Sequence, residues 1–245
     1  MMHFETWQWV LAIFAALLVG ISKTGIAGLG MLFVVIFAQI MPAKQATGIV
    51  LPLLIFGDVI AVSSYRQHTQ WRFLWRLFPW TAAGVVLGFF ALGRIDDRQA
   101  KVMVGAIVLG LLALHLARRR GAVKAEKERG WWFPPVVGVL AGFTTLVANA
   151  AGPLMAIYLL AMRLPKMEFM GTGAVFFLLL NLFKVPFMVD LGLINRGSFT
   201  VNLWLAPAVF VGAWLGKKIL AKIDQRLFEN LALALSAAAG LKMLW

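Results

Sequence analysis

Long apolar runs follow one another along almost the whole chain, and they constrain its fold more than any other feature. The ten runs cover residues 7–21, 26–41, 45–65, 73–93, 99–117, 132–147, 150–162, 169–189, 199–216 and 227–244. Their apolar residues recur at helical spacing, and glycine and proline mark their ends. A helix that crosses a bilayer needs about 20 apolar residues. The runs therefore predict an all-α polytopic membrane protein.

The composition agrees with this prediction. The chain is 62% hydrophobic and 13% charged, whereas a soluble domain is roughly half apolar and about a quarter charged. We attribute the net charge of +13 mainly to cytoplasmic loops that follow the positive-inside rule. A basic chain also suits an anionic substrate. Nucleic acid is not an expected partner, because the sequence contains no soluble basic domain.

Two glycine-rich stretches interrupt the apolar pattern at corresponding places in the two halves of the chain. They cover residues 20–30 and 142–153, and each is followed by a short run, 26–41 or 150–162. Glycine and proline at such density predict broken helices, or re-entrant half-helices that enter and leave on one side. Unwound backbone inside a membrane is tolerated where it lines a cavity. Paired interruptions are therefore the best sequence marker of a transporter's substrate site.

The second half of the chain repeats the first. Pro79 is matched by Pro207, 128 residues later (207 − 79), and Asp58 is matched by Asn181, 123 residues later (181 − 58). Collinear matches of this kind indicate internal duplication. We therefore divide the chain into a first transmembrane repeat at 1–117, a basic cytoplasmic linker at 118–130 and a second transmembrane repeat at 131–245.

The charges of the loops predict that the two repeats have inverted topology. Basic residues dominate the loops 66–76 and 217–226 and the central linker, whereas the loops 94–101 and 190–198 carry little net charge. The positive-inside rule then places both termini outside. The N-terminus contains Glu5 and no basic residue before the first apolar run, so we interpret that run as a membrane segment rather than a signal peptide.

Few polar residues lie inside the apolar runs, and such residues mark pathways or sites. The candidate substrate-binding residues are Ser22, Lys23, Thr24, Gly25, Asn149, Gly152, Asn181 and Lys184. Lys23 and Lys184 are either counter-charges for an anion or lysines that snorkel to an interface. Asn149 either donates to a substrate oxygen or serves as a helix cap or interhelical hydrogen bond. Asp58 is the candidate coupling residue for protons or another ion, or it only pairs with a lysine.

The motifs that contain these residues identify a resemblance. The segments 20–30, 51–58, 148–153, 169–174 and 181–186 resemble the TauE/SafE family of sulfite and organosulfonate membrane exporters, over about residues 10–243. The resemblance implies seven or eight spanning segments, which fits ten apolar runs only if some are half-length. It also implies a small sulfur-containing oxyanion, such as sulfite or an organosulfonate, as the substrate.

The leading functional hypothesis is therefore a secondary transporter that exports a small anion through the inner membrane, with one repeat rocking against the other. An anion channel and a transporter of another small anionic metabolite are the alternatives. The apolar runs contain no apparent acid–base pair or metal-ligand spacing, so the sequence does not predict an enzyme or a metal site. No phosphate-binding loop for ATP is present. We expect no cofactor, and the sequence gives no oligomeric state.

Overall fold

The computed structural model describes residues 5–25, 43–92 and 131–244 continuously, together with isolated residues between 33 and 41 and between 94 and 116. The described residues are helical, with no strand among them. The α-helices are α1 (Thr6–Thr24), α2 (Ala43–Tyr65), α3 (Trp71–Leu92), α4 (Phe133–Ala148), α5 (Ala151–Ala161), α6 (Lys166–Asp190), α7 (Arg196–Lys222) and α8 (Gln225–Leu244). A 3₁₀ turn, Arg66–His68, follows α2. The linker 118–130 and most of the runs 26–41 and 99–117 lie outside the described residues.

Five of these helices are long and apolar enough to cross a bilayer: α1, α2, α3, α6 and α7. Their bounds follow the predicted apolar runs to within a few residues. Large apolar side chains on their outer faces are exposed, such as Trp204, Phe210 and Trp214 on α7. Exposed aromatic residues are unfavourable in water and expected against lipid. The fold is therefore that of an all-α polytopic membrane protein.

The second predicted break is present, but it is narrower than expected. Helix α4 continues through Gly142 to Ala148, and only Asn149 and Ala150 separate it from α5. Helix α5 has 11 residues and extends about 16 Å, so it cannot span a bilayer alone. The run 132–162 is thus two short helices joined at a two-residue turn.

The first break also begins later than its glycines indicated. Helix α1 is regular through Gly20 and ends at Thr24, so Ser22 and Lys23 lie in its last turn rather than in unwound backbone. Gly20 has a different role, because an added Cβ there would overlap the backbone of Val209 and Ala213. The glycine allows close helix packing and does not end the helix. The remainder of the predicted break, residues 26–30, lies outside the described residues.

The two halves are joined by two pairs of parallel helices. Helix α1 packs on α7 and α4 packs on α3, so each pair takes one helix from each half. An added Cβ at Gly142 would overlap Thr81 and crowd Val85. The corresponding contacts of Gly20 lie 128 residues further on, at Val209 (209 − 81) and Ala213 (213 − 85). The contacts of the two pairs therefore follow the spacing of the sequence repeat.

Helices α2 and α6 pass each other in opposite directions at the centre of the molecule. At one end of this helix pair, an added Cβ at Gly48 would meet Leu193. At the other end, the Thr69 hydroxyl donates to the carbonyl of Gly171. Between these contacts, Asp58 faces Asn181. The two residues matched by the sequence repeat therefore touch where α2 and α6 cross.

Candidate functional site

A cavity of about 80 Å³ lies where the end of α1, the α4–α5 turn and the middle of α2 and α6 meet. Its polar lining residues are Ser22, Lys23, Asp58, Thr145, Asn149 and Asn181. Its apolar lining includes Phe33, Leu54, Met155, Leu159, Phe169, Met170 and Phe177. A single water needs about 10–15 Å³ measured in this way, so the cavity has room for a small molecule. Its lining offers both charged and apolar groups to such a molecule.

Lys23 forms an ion pair with Asp58 inside this cavity. The Lys23 ammonium lies 2.7 Å from Oδ1 of Asp58, and the lysine side chain is only 10% exposed. The same ammonium lies over the Phe177 ring, 4.4 Å from its centroid, where a cation–π interaction is favourable. Lys23 therefore points into the protein and does not snorkel to an interface.

Asp58 is fully buried between α1 and α6. Its Oδ2 accepts a hydrogen bond of 2.6 Å from the Asn181 side-chain amide. Its Oδ1 is held by the Lys23 ammonium, 2.7 Å away. A buried carboxylate requires such partners, because the hydrocarbon region offers no water to replace them.

Lys184 is the second buried lysine of the site. Its ammonium donates to Oδ1 of Asn149 at 2.6 Å, to Oγ1 of Thr145 at 3.1 Å and to Oδ1 of Asn181 at 3.4 Å. An ammonium has three donors, and here each has an acceptor. The side chain is wholly buried, so Lys184 does not snorkel either. It lies directly behind the cavity wall and orients three of the lining side chains.

Asn149 forms the turn between α4 and α5. Its backbone is left-handed, with φ 50° and ψ 32°, and its N–H closes the end of α4 on Thr145. Asparagine tolerates this conformation better than most residues. Its side-chain amide donates to the carbonyl of Thr47 at 3.2 Å, while its carbonyl accepts from Lys184. Asn149 is thus a helix cap, an interhelical link and a cavity-lining residue at once.

Helix α5 begins at the cavity wall. No side chain caps its first residue, and Gly152 and Pro153 both line the cavity. The first N–H groups of a helix lack partners within the helix, and its dipole favours negative charge there. An added Cβ at Gly152 would meet no atom within 4 Å. The start of α5 therefore faces open space in the cavity.

Two predicted site residues lie elsewhere. The Thr24 hydroxyl donates to the carbonyl of Ala213 at 2.7 Å and to that of Gly20 at 3.1 Å. Gly25 packs against Gly216, so that an added Cβ would crowd the α7 backbone. Neither residue lines the cavity. At the end of α1, the helix face that carries Lys23 faces the cavity. Thr24 and Gly25 lie on the face that contacts α7, and they join these two helices.

Two cavity-lining residues that contact the buried lysines, Phe177 and Thr145, are absent from the list of candidate site residues. Phe177 lies four residues before Asn181, one turn away on the same face of α6, and this spacing could have identified it. Thr145 lies 122 residues after Lys23 (145 − 23), the offset that also relates Gly20 to Gly142. The repeat therefore marks Thr145 as the counterpart of Lys23. Among the described residues, no group of three or more acidic or histidine side chains could hold a metal ion.

The comparisons with known proteins agree with the fold. The model of the family Sulfite exporter TauE/SafE matches residues 12–243. The chain is 27% identical over 185 residues to the "Probable inner membrane transporter protein TsaS" of Comamonas testosteroni, an alignment that covers 74% of each chain. It is 24% identical over 233 residues to the "Probable membrane transporter protein MamO" of Magnetospirillum gryphiswaldense, covering 78% of this chain and 37% of the relative. No solved structure matches.

Both relatives are named as membrane transporters and not as enzymes. The family match extends over nearly the whole chain and includes every residue of the cavity lining. The chain therefore belongs to the TauE/SafE sulfite exporter family and is a membrane transporter.

Proposed function

We propose that the protein is a secondary transporter that exports a small sulfur-containing oxyanion, such as sulfite or an organosulfonate, across the bacterial inner membrane by alternating access. The observation that carries the proposal is the charge of the cavity. Among the described residues of this site, Lys23 and Lys184 stand against one carboxylate, Asp58, so with both lysines protonated the site carries one excess positive charge. An uncompensated charge at membrane depth is costly, and an anionic substrate compensates it.

Neutral donors supplement the lysines. Ser22 and Gly152, at the start of α5, line the cavity, and hydroxyl groups and helix N-terminal N–H groups replace water around an oxyanion. The Asn149 side chain is held in place by Thr47 and Lys184. A site whose donors are fixed before binding loses little entropy on binding. The geometry thus favours a compact oxyanion over a flexible acid.

The apolar wall of the cavity favours an organic substituent on that anion. Met155, Leu159, Phe169 and Met170 line the cavity together with the charged residues. Burying a methylene group contributes about 0.8 kcal/mol. Among sulfur oxyanions, an organosulfonate has an apolar part that contacts these residues, whereas sulfite has none.

Alternating access is supported by the arrangement of the helices. The helices matched by the repeat, α2 and α6, run antiparallel and meet at Asp58 and Asn181, as expected for inverted repeats around a midplane site. The close pairs α1–α7 and α3–α4 each join the two halves. These contacts favour a movement in which one interlocked pair of helices moves against the other pair. They disfavour a movement in which one half of the chain rocks against the other half.

Uptake into liposomes tests the function. The purified protein is reconstituted, and uptake of labelled sulfite, sulfoacetate and sulfate is measured with and without a proton gradient. We expect saturable uptake of at least one anion, with acceleration by the same anion on the opposite side, which distinguishes a carrier from a channel. Absence of uptake of all three by folded protein contradicts the oxyanion assignment.

Replacing Lys184 tests the site. Lys184→Met leaves the carbonyl of Asn149 and the Thr145 hydroxyl without a donor, and each unsatisfied group costs about 1–3 kcal/mol. We expect anion binding to be lost and the melting temperature to fall. Lys166→Met is the matched control, because Lys166 donates to the carbonyls of Leu220 and Ile223 away from the cavity. This variant should also be less stable and yet bind the anion, so equal affinity in both variants would remove Lys184 from the site.

A further inference from the structure

We infer that Asp58 is a resident counter-anion of Lys23, which the substrate displaces when it binds and which returns when the substrate leaves. The inference rests on the proposed anion transport. In the empty site the Asp58 carboxylate occupies the position on Lys23 that a substrate oxyanion needs. Substrate and Asp58 then alternate on one ammonium during each transport cycle.

The surroundings of Lys23 allow few other positions for an anion. The ammonium has the Phe177 ring on one side, 4.4 Å away, and Asp58 on another, 2.7 Å away. Its alkyl chain is fixed by α2, since an added Cβ at Gly57 would lie 2.9 Å from Cγ of Lys23. Both Lys23 and Asp58 line the cavity. A substrate that reaches Lys23 from the cavity therefore meets the carboxylate at the same ammonium.

The hold on Asp58 is suited to exchange. Its Oδ1 is paired with the Lys23 ammonium, whereas its Oδ2 accepts from the Asn181 amide, so the two oxygens have different partners. Releasing Oδ1 therefore leaves the Asn181 hydrogen bond intact. The charged groups that face Asp58 are Lys23 from α1 and Lys184 from α6, and Asn181 lies between Asp58 and Lys184. A displaced Asp58 remains close to the second lysine.

The exchange has a consequence for the transport cycle. A buried lysine without a counter-charge is strongly disfavoured at membrane depth. With Asp58 in place, Lys23 is neutralised in the empty carrier as well as in the loaded one. The empty carrier then returns with one excess positive charge, that of Lys184, instead of two. This return is a step that net transport requires and that exchange of one anion for another does not.

The variant Asp58→Asn distinguishes a displaceable counter-anion from a purely structural ion-pair partner. The experiment measures the affinity of purified protein for sulfite, sulfoacetate and sulfate, and in liposomes both net efflux and anion exchange. Without the competing carboxylate, we expect affinity to rise roughly tenfold or more, because a like charge is removed from a low-dielectric site. Net efflux should be lost and exchange retained. If the ion pair has only a structural role, the variant should bind the anion more weakly and should lose both net efflux and anion exchange.

Three further measurements make the test decisive. Asp190→Asn, at the exposed end of α6, is the matched control and should behave as the wild type. If Asp58→Asn is unstable, the anion should raise its melting temperature more than that of the wild type; an equal rise contradicts displacement. Lys23→Gln/Asp58→Asn removes both charges and should lose anion binding.

The outcomes distinguish the two proposals. A wild type that binds an anion, with an Asp58→Asn variant that binds it no more tightly, overturns the displacement and leaves the transport function. A wild type that binds none of the three anions overturns the oxyanion function and the displacement with it.

Discussion

Glycine has two opposite roles among the residues of this protein, and substitution separates them. An added Cβ at Gly152 meets open cavity, whereas one at Gly142 meets the Thr81 carbonyl. We predict that Gly152→Leu fills the cavity and abolishes anion uptake while the melting temperature changes little. Gly142→Ala should instead destabilise the protein by about 3 kcal/mol, since overpacking against backbone has costs of this order.

Thermal unfolding and liposome uptake of the two variants check this prediction. Gly110→Ala is the control, because an added Cβ there meets no atom within 4 Å and Gly110 does not line the cavity, and the change should be tolerated in both assays. Normal uptake by Gly152→Leu would show that the cavity is not the transport route.

The individual site residues could be predicted from the sequence, and their contacts could not. Lys23, Asp58, Asn149, Asn181 and Lys184 stand out because polar side chains inside apolar runs are rare. Which lysine pairs with Asp58 depends on packing between helices far apart in the chain. Thr24 carries the same kind of polar signal as Ser22, yet the rotation of the last turn of α1 directs it towards α7.

At the scale of the helices, hydropathy predicted their positions well, because the bilayer requires long apolar segments. It predicted the extent of the breaks poorly. Glycine lowers helix propensity, and it also allows backbones to approach closely. Gly20 and Gly142 serve the second purpose, and only their partners on α7 and α3 reveal it. Asn149, with its left-handed backbone, marks the true end of α4.

A disulfide between α3 and α4 tests whether the interlocked pair moves as a unit. The chain has no cysteine, so two introduced cysteines are the only thiols that can form a disulfide within it. An added Cβ at Gly88 lies 3.1 Å from Cβ of Leu146, and a small separation of the two helices brings this to the roughly 3.5–4.5 Å of a disulfide. We predict that Gly88→Cys/Leu146→Cys forms a disulfide on oxidation and transports equally well when oxidised or reduced. Loss of transport on oxidation, restored by reductant, would instead favour rocking of the two halves.

At the scale of the whole molecule, the loops divide into two groups. Thr69 contacts Gly171, and Lys166 contacts Ile223, so the loops near residues 68, 165 and 223 lie at one end. Gly48 contacts Leu193 at the other. The first end carries more basic residues, so the positive-inside rule predicts that it lies in the cytoplasm. The linker 118–130 and the location of both termini outside stay predictions.

Cysteine labelling in intact cells checks this orientation. Gln67→Cys and Arg196→Cys place single exposed thiols at the two ends of the molecule. We predict that a membrane-impermeant maleimide labels Arg196→Cys in intact cells and labels Gln67→Cys only after the cells are lysed. The opposite pattern would invert the topology and exchange the two faces of the transporter.

The contact between Asp58 and Asn181 also has a consequence for the origin of the chain. A half-length ancestor that paired with a second copy of itself would have placed the same residue on both sides of this crossing. Two aspartates at 2.6 Å could not both be ionised, and two asparagines would have left Lys23 without a carboxylate. A chain that encodes both copies can make one side acidic while the other remains an amide. The site thus has an asymmetry that no homodimer can have.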